Sequence, residues 1–198
     1  MKNLDFNKII DNRKSVLDQR KNELEELKSI LKISDPIEFA ISDIAKEVNA
    51  RKKNEKVGVS QLNFLENVKG PVVYVYEIVD NSIKVELLNN LEAFRSKNNK
   101  DENGNDIRRS TAKLPTSARD NDTNILYVGS VKEYVHSRTR QHLGFGHPHT
   151  FALQLKHWAD QNWRFRFYYM EITNKEITND IEAALSVELN PLIGKREI

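Results

Sequence analysis

The rhythm of hydrophobic and polar positions changes several times along the chain, and each rhythm predicts an element. Over residues 5–32, Ile10, Leu17, Leu24 and Leu31 recur at every seventh position, with Ile9, Val16, Leu27 and Ile30 beside them. That spacing lays an apolar stripe along a helix whose other faces carry Lys, Arg and Glu. The stripe suits either packing within the helix's own domain or a short coiled-coil contact between two copies, although Arg13 and Arg20 interrupt the second seam position. Ser34-Asp-Pro-Ile-Glu38 offers a cap, a first-turn proline and a capping-box glutamate. It therefore predicts a second helix, running to about Ala50. Residues 51–56 read as a charged connector, or as a contact to a DNA backbone. Residues 60–68 suit one more short helix.

After Gly70-Pro71 the rhythm turns extended. Val72-Val-Tyr-Val-Tyr-Glu-Ile-Val79 is rich in β-branched and aromatic residues and predicts a strand. Ile83, Val85 and Leu87 continue an alternation. Residues 96–106 are polar and turn-prone, a loop or a disordered insertion. A second strand is expected over 125–128, then a helix over 132–143 ended by Gly144. Phe151, Leu155 and Trp158 suggest a further helix. Residues 163–172 alternate as a strand with Arg164 and Arg166 on one face. Thr178 or Asn179 can cap a last helix through about Leu189, followed by Pro191. These elements predict an α+β fold: a small, mostly antiparallel sheet flanked by helices, behind an α-helical N-terminal region over 1–69.

Composition narrows the class. The chain has 198 residues, 38% hydrophobic and 30% charged, with a formal net charge of +2 and no cysteine. Disulfides and thiolate metal sites are excluded. The N-terminus carries no apolar signal-like region, and no run approaches the roughly 18 apolar residues of a membrane helix. A cytoplasmic protein is expected. The net charge is too small to argue for nucleic acid alone, so local charge must carry that case. Residues 132–166 hold six basic and two acidic side chains, and all five histidines fall between 136 and 157.

The chemistry concentrates in one ordered set. A tyrosine pair, Tyr74 and Tyr76, shares one strand face. A second strand ends in Tyr127-Val-Gly129, the next helix carries Arg138 and His142 four residues apart on one face, and the last helix opens with Ile181-Glu-Ala-Ala-Leu185. Phosphodiester hydrolysis needs an oriented water, a proton acceptor and positive charge on the phosphoryl oxygens. Arg supplies a permanent planar cation, and one carboxylate can hold a divalent ion. Taken singly, each residue has a plainer use: a packed strand tyrosine, a solvated helix arginine, an acid favourable to a helix N-terminus. Zinc at His147-Pro-His149 is a weaker alternative, given no cysteine and no nearby carboxylate pattern.

In this order the residues resemble the GIY-YIG nuclease family over about residues 70–198. Tyr127-Val-Gly129 stands for its YIG element, Val72-Val-Tyr74 for GIY, Arg138 for its arginine, His142 for a histidine of several branches, and Glu182 for its glutamate. The chain departs from the family pattern in three places. Val72 replaces the first glycine, which makes Tyr76 a rival to Tyr74. Residues 80–123 become an insertion. The asparagine expected after Pro191 is absent, with Gly194 near that place and Asn190 before the proline. The resemblance implies a metal-dependent endonuclease acting on DNA, with RNA as an open alternative. Glu182 would hold Mg²⁺ or Mn²⁺, Arg138 would face the phosphoryl group, and Tyr74 or Tyr127, assisted by His142, would orient or deprotonate the water. Lys132, Arg140, Arg164 and Arg166 are expected backbone contacts, and the N-terminal helix a possible homodimer contact. The same fold with a degraded site, binding nucleic acid or a partner without catalysis, is the competing expectation.

Overall fold

The computed structural model describes residues 6–30, 32–45, 58–96 and 109–194. The chain divides into two compact units, 1–32 and 33–198. The first holds a single helix, α1 (Phe6–Ile30), as the seven-residue spacing predicts. Its side chains Phe6, Ile10, Val16 and Leu17 are exposed; the remaining seam positions lie outside the described side chains. No helix among the described residues is long and apolar enough to cross a membrane.

The second unit is an α+β fold built on four strands: β1 (Ile37–Ala40), β2 (Val72–Ile78), β3 (Ile125–Val131) and β4 (Arg164–Glu171). All pairings are antiparallel, in the order β1-β4-β2-β3. Helices α2 (Lys84–Ser96), α3 (Val135–Leu143) and α4 (Thr178–Leu189) complete it. Residues 60–67 form a 3₁₀ helix that packs on α3.

Several expectations are corrected. The capping-box signature at Ser34–Glu38 starts no helix. Ile37 and Phe39 alternate in β1, whose Phe39 pairs with Phe165 and stacks near its ring. Pairing and burial override the local cap preference there. The Ile83-Val85-Leu87 alternation belongs to no strand either. Leu87, Leu88 and Leu91 are fully buried on one side of α2, while Val85 is exposed. The segment around Phe151 to Trp158 forms only a short 3₁₀ turn at 155–157. Thr178, expected as a cap, is instead the first residue of the last helix; no side chain caps it, and Thr178 Oγ1 donates to the Asn174 carbonyl. The predicted 51–56 connector and nearly all of the 96–106 insertion lie outside the described residues.

The period-two geometry of the strands divides the sheet into two unlike faces. On one lie Phe39, Tyr74, Tyr76, Tyr127, Phe165 and Phe167, buried with α3 and the 3₁₀ helix in the main core. On the other, α4 packs over β3 and β2. The β4–β1 end of that second face is polar: Arg164 and Arg166 share Glu38, and Arg166 also approaches Glu77. β3 is the last strand of the sheet; Leu192 and Ile193 donate to the Ile125 and Leu126 carbonyls on its outer edge, and the cleft forms beside that edge.

Candidate active site at the edge of the sheet

A cleft of about 760 Å³ lies against the β3 edge. Tyr127 and Val128 supply its floor, Arg138 comes from α3, and Asn179, Glu182 and Ser186 come from one face of α4. The remaining wall is Arg95 from the end of α2, the stretch 111–113, Phe151 and Gly194. Three widely separated predicted residues, Tyr127, Arg138 and Glu182, thus meet in one space.

Tyr74 stands behind this front row. It pairs with Gly129 across β2 and β3, is 1% exposed, and stacks on Tyr127 with ring centroids 6.3 Å apart. Gly129 has a steric reason to be glycine: an added Cβ would sit 2.7 Å from the Tyr74 hydroxyl and 2.6 Å from the Tyr127 ring. The space beside it is filled by two phenols. Tyr76, the rival, is fully buried, with its hydroxyl beside Thr139, and does not line the cleft.

His142 lies deeper still, with no exposed surface. The Leu153 backbone N–H donates to its Nδ1 at 3.1 Å, and its Nε2 lies 2.9 Å from the Tyr74 hydroxyl. An Nδ1 that accepts a hydrogen bond puts the neutral ring's proton on Nε2, so the imidazole donates to the Tyr74 oxygen. Burial, and the charge of Arg138 after it, hold the His142 pKa well below its usual value. The ring is therefore neutral and oriented, a brace for Tyr74 rather than a proton acceptor.

Arg138 is held in place by neutral partners. It donates to Gln141 Oε1 and to the Phe151 carbonyl, each at 2.8 Å, and its guanidinium lies against the phenols of Tyr74 and Tyr127. Burial alone would lower its pKa; the phenols outweigh that and raise it. Burial raises the Tyr127 pKa, Arg138 opposes the rise and Glu182 adds to it. The Tyr74 phenol is pushed up further, again chiefly by burial.

Glu182 accepts from the Ser130 hydroxyl, a partner at the end of β3 that sequence reading missed. Among the described residues no group of three or more His, Cys, Asp or Glu could hold a metal. The donor set at the cleft is instead one carboxylate, with the Asn179 amide and the Ser186 hydroxyl on the same helix face. Such hard oxygen donors fit Mg²⁺ or Mn²⁺ held by one carboxylate, with waters and substrate oxygens completing the shell. The alternative pair, His147 and His149, has no third protein ligand among the described residues, and His147 Nδ1 already accepts from the His149 backbone.

The other predicted contacts stand apart. Lys132 is exposed just past β3, Arg140 is half-buried on α3, and neither lines the cleft. Arg164 and Arg166 are tied to carboxylates on the second face of the sheet. Of the two stand-ins for the missing asparagine, Gly194 lines the cleft with φ +121°, while Asn190 ends α4 in the left-handed conformation. Asn179 was overlooked, although its place three residues before Glu182 puts it on the same helix face. No protein-family model matches the chain, and neither a curated protein nor a solved structure gives a significant match.

Proposed function

We propose that this protein hydrolyses phosphodiester bonds in nucleic acid, as a GIY-YIG-type endonuclease that acts on DNA with Mg²⁺ or Mn²⁺. One observation carries the reading: Tyr127, Arg138 and Glu182 share a cleft, with Tyr74 stacked on Tyr127 and His142 hydrogen-bonded edge-on to Tyr74 behind them. A phosphate entering the cleft meets the Arg138 guanidinium, already oriented by Gln141 and the Phe151 carbonyl. Its charge acts on the phosphoryl oxygens without reorganisation during the reaction. Tyr127 faces the same space, and its hydroxyl orients the attacking water. Tyr74 positions Tyr127 and Arg138, and His142 positions Tyr74 through its Nε2–H. Glu182, with Asn179, would hold the divalent cation, which supplies Lewis-acid charge when bound.

The test is supercoiled plasmid incubated with the full chain in Mg²⁺ or in EDTA, beside Glu182→Ala. Nicking that requires the metal and is lost in the variant supports the reading. Cutting by Glu182→Ala at the wild-type rate overturns it. Metal-independent binding without any turnover on DNA or RNA favours a binding module instead.

A further inference from the structure

The cleft contains one residue that phosphate chemistry does not call for. Phe151 is 70% exposed, the most exposed large apolar side chain described, yet the backbone at it and just after it is anchored. Its carbonyl accepts from Arg138, Ala152 is buried and bridges to Thr111, and Leu153 donates to His142. The facing segment is laced to the same frame. Ser110 N–H donates to the Pro148 carbonyl at 2.7 Å, Ala112 N–H to the Ala152 carbonyl at 3.0 Å, and Gly194 N–H to the Lys113 carbonyl at 2.7 Å. Arg95 donates to the Ala112 carbonyl at 3.1 Å. The cleft is therefore lined by cations from α2, the 111–113 stretch and α3, opposite the Glu182 carboxylate, with a solvent-facing aromatic ring on an anchored backbone among them.

A cation-lined groove with an interleaved aromatic is the arrangement that holds unpaired strands, because every base has a face to stack and a backbone to neutralise. An intact duplex hides those faces inside its stack. The volume of the cleft falls in the range of sites that enclose a small molecule. Phosphate contacts alone need only surface cations.

We propose that the cleft takes an unpaired nucleotide, with Phe151 stacking on the base beside the phosphate bound by Arg138, and Arg95 and Lys113 along the flanking backbone. This rests on the phosphodiester reading of the cleft and names its substrate as a single-stranded or locally unpaired strand.

The experiment is fluorescence-anisotropy titration of the full chain in EDTA, where nothing is cut. The probes are labelled oligothymidylate, oligouridylate and a blunt DNA duplex of equal length. The proteins are wild type, Phe151→Ala, Phe151→Trp and Arg138→Ala. Wild type should bind the unpaired strands tighter than the duplex. Phe151→Ala should weaken the unpaired strands by between about fivefold and about a hundredfold and leave the duplex unchanged, while Phe151→Trp restores binding. Arg138→Ala should weaken the unpaired strands as well. A loss on both oligothymidylate and oligouridylate, or on only one, supports the proposal and tells whether the sugar is read. The proposal is overturned if Phe151→Ala binds as wild type does, if the duplex binds as tightly as the single strands, or if Arg138→Ala changes nothing. Because the readout needs no hydrolysis, failure here leaves the Glu182→Ala plasmid test standing, and failure of that test leaves this result intact.

Discussion

Arginines on the two faces of one sheet have opposite fates. Arg164 and Arg166 project from β4 onto the shared carboxylate of Glu38, with Glu77 nearby, so their charge is matched where it stands. Arg138 projects into the cleft, where it donates to an amide oxygen and a carbonyl and lies against the phenols of Tyr74 and Tyr127. Neutral partners fix the direction of a guanidinium without cancelling its charge, which stays available to an incoming anion. A basic residue count cannot separate the two cases, and partner chemistry can.

That contrast can be broken from the cleft side first. Gly129→Ala drives a methyl group into the Tyr74 hydroxyl and the Tyr127 ring. Overpacking of this kind costs about 1–3 kcal/mol, and displacing both phenols should abolish cleavage; urea unfolding and the plasmid assay read the two effects. Wild-type stability with full cleavage would mean the phenols have room that the geometry denies them. Tyr74→Phe strips the acceptor from His142 Nε2. A buried donor left unsatisfied costs about 1–3 kcal/mol, so the urea midpoint should fall while the ring packing persists. An unchanged midpoint would mean that His142 does not brace Tyr74.

Acid should act on the same brace. The folded pKa of His142 lies well below its usual value, and that of His157 is lowered to about 4, both chiefly by burial. The unfolded chain binds these protons first, near pH 6.5. Stability present above that pH is therefore lost as pH falls from about 6.5 toward 4. Urea midpoints across this range should decline, and less steeply in His142→Gln than in wild type. Equal slopes would show that His142 is not held neutral. On the second face, Glu38→Ala removes a half-buried carboxylate shared by both arginines, and Arg166 keeps Glu77 nearby. Surface pairs of that kind contribute little, so the melting temperature should move by a few degrees at most and cleavage should persist.

How much of this the sequence disclosed depends on the range of the interactions involved. β2, β3, β4, α3 and α4 were legible because β-branched and aromatic runs, alternation, Gly144, the Thr178-Asn179 start and Pro191 are local signals. β1 was not: its four residues pair with β4 more than a hundred positions away, and the nearby Asp35, Pro36 and Glu38 satisfy a helix start on their own. In α2 the Leu87, Leu88 and Leu91 face was masked by a three-residue alternation that looks like a strand. At the site, Tyr74, Tyr127, Arg138, His142 and Glu182 could be proposed from type and order. Which tyrosine meets solvent could not, since that follows from Tyr74 packing behind Gly129. Arg95, Lys113 and Phe151 join the cleft through contacts such as the Thr111–Ala152 bridge, which no local pattern encodes. Ser130 was similarly silent, one hydroxyl at a strand end until α4 lies across it.

The most direct measurement is the initial rate of plasmid nicking in Mg²⁺ by wild type, Arg138→Ala and Arg166→Ala, side by side. If the Arg138 charge held by neutral partners in the cleft drives the chemistry, Arg138→Ala should fall by about a thousandfold or more, and Arg166→Ala should stay within about threefold of wild type. Equal losses in the two variants, or none in Arg138→Ala, would contradict the account.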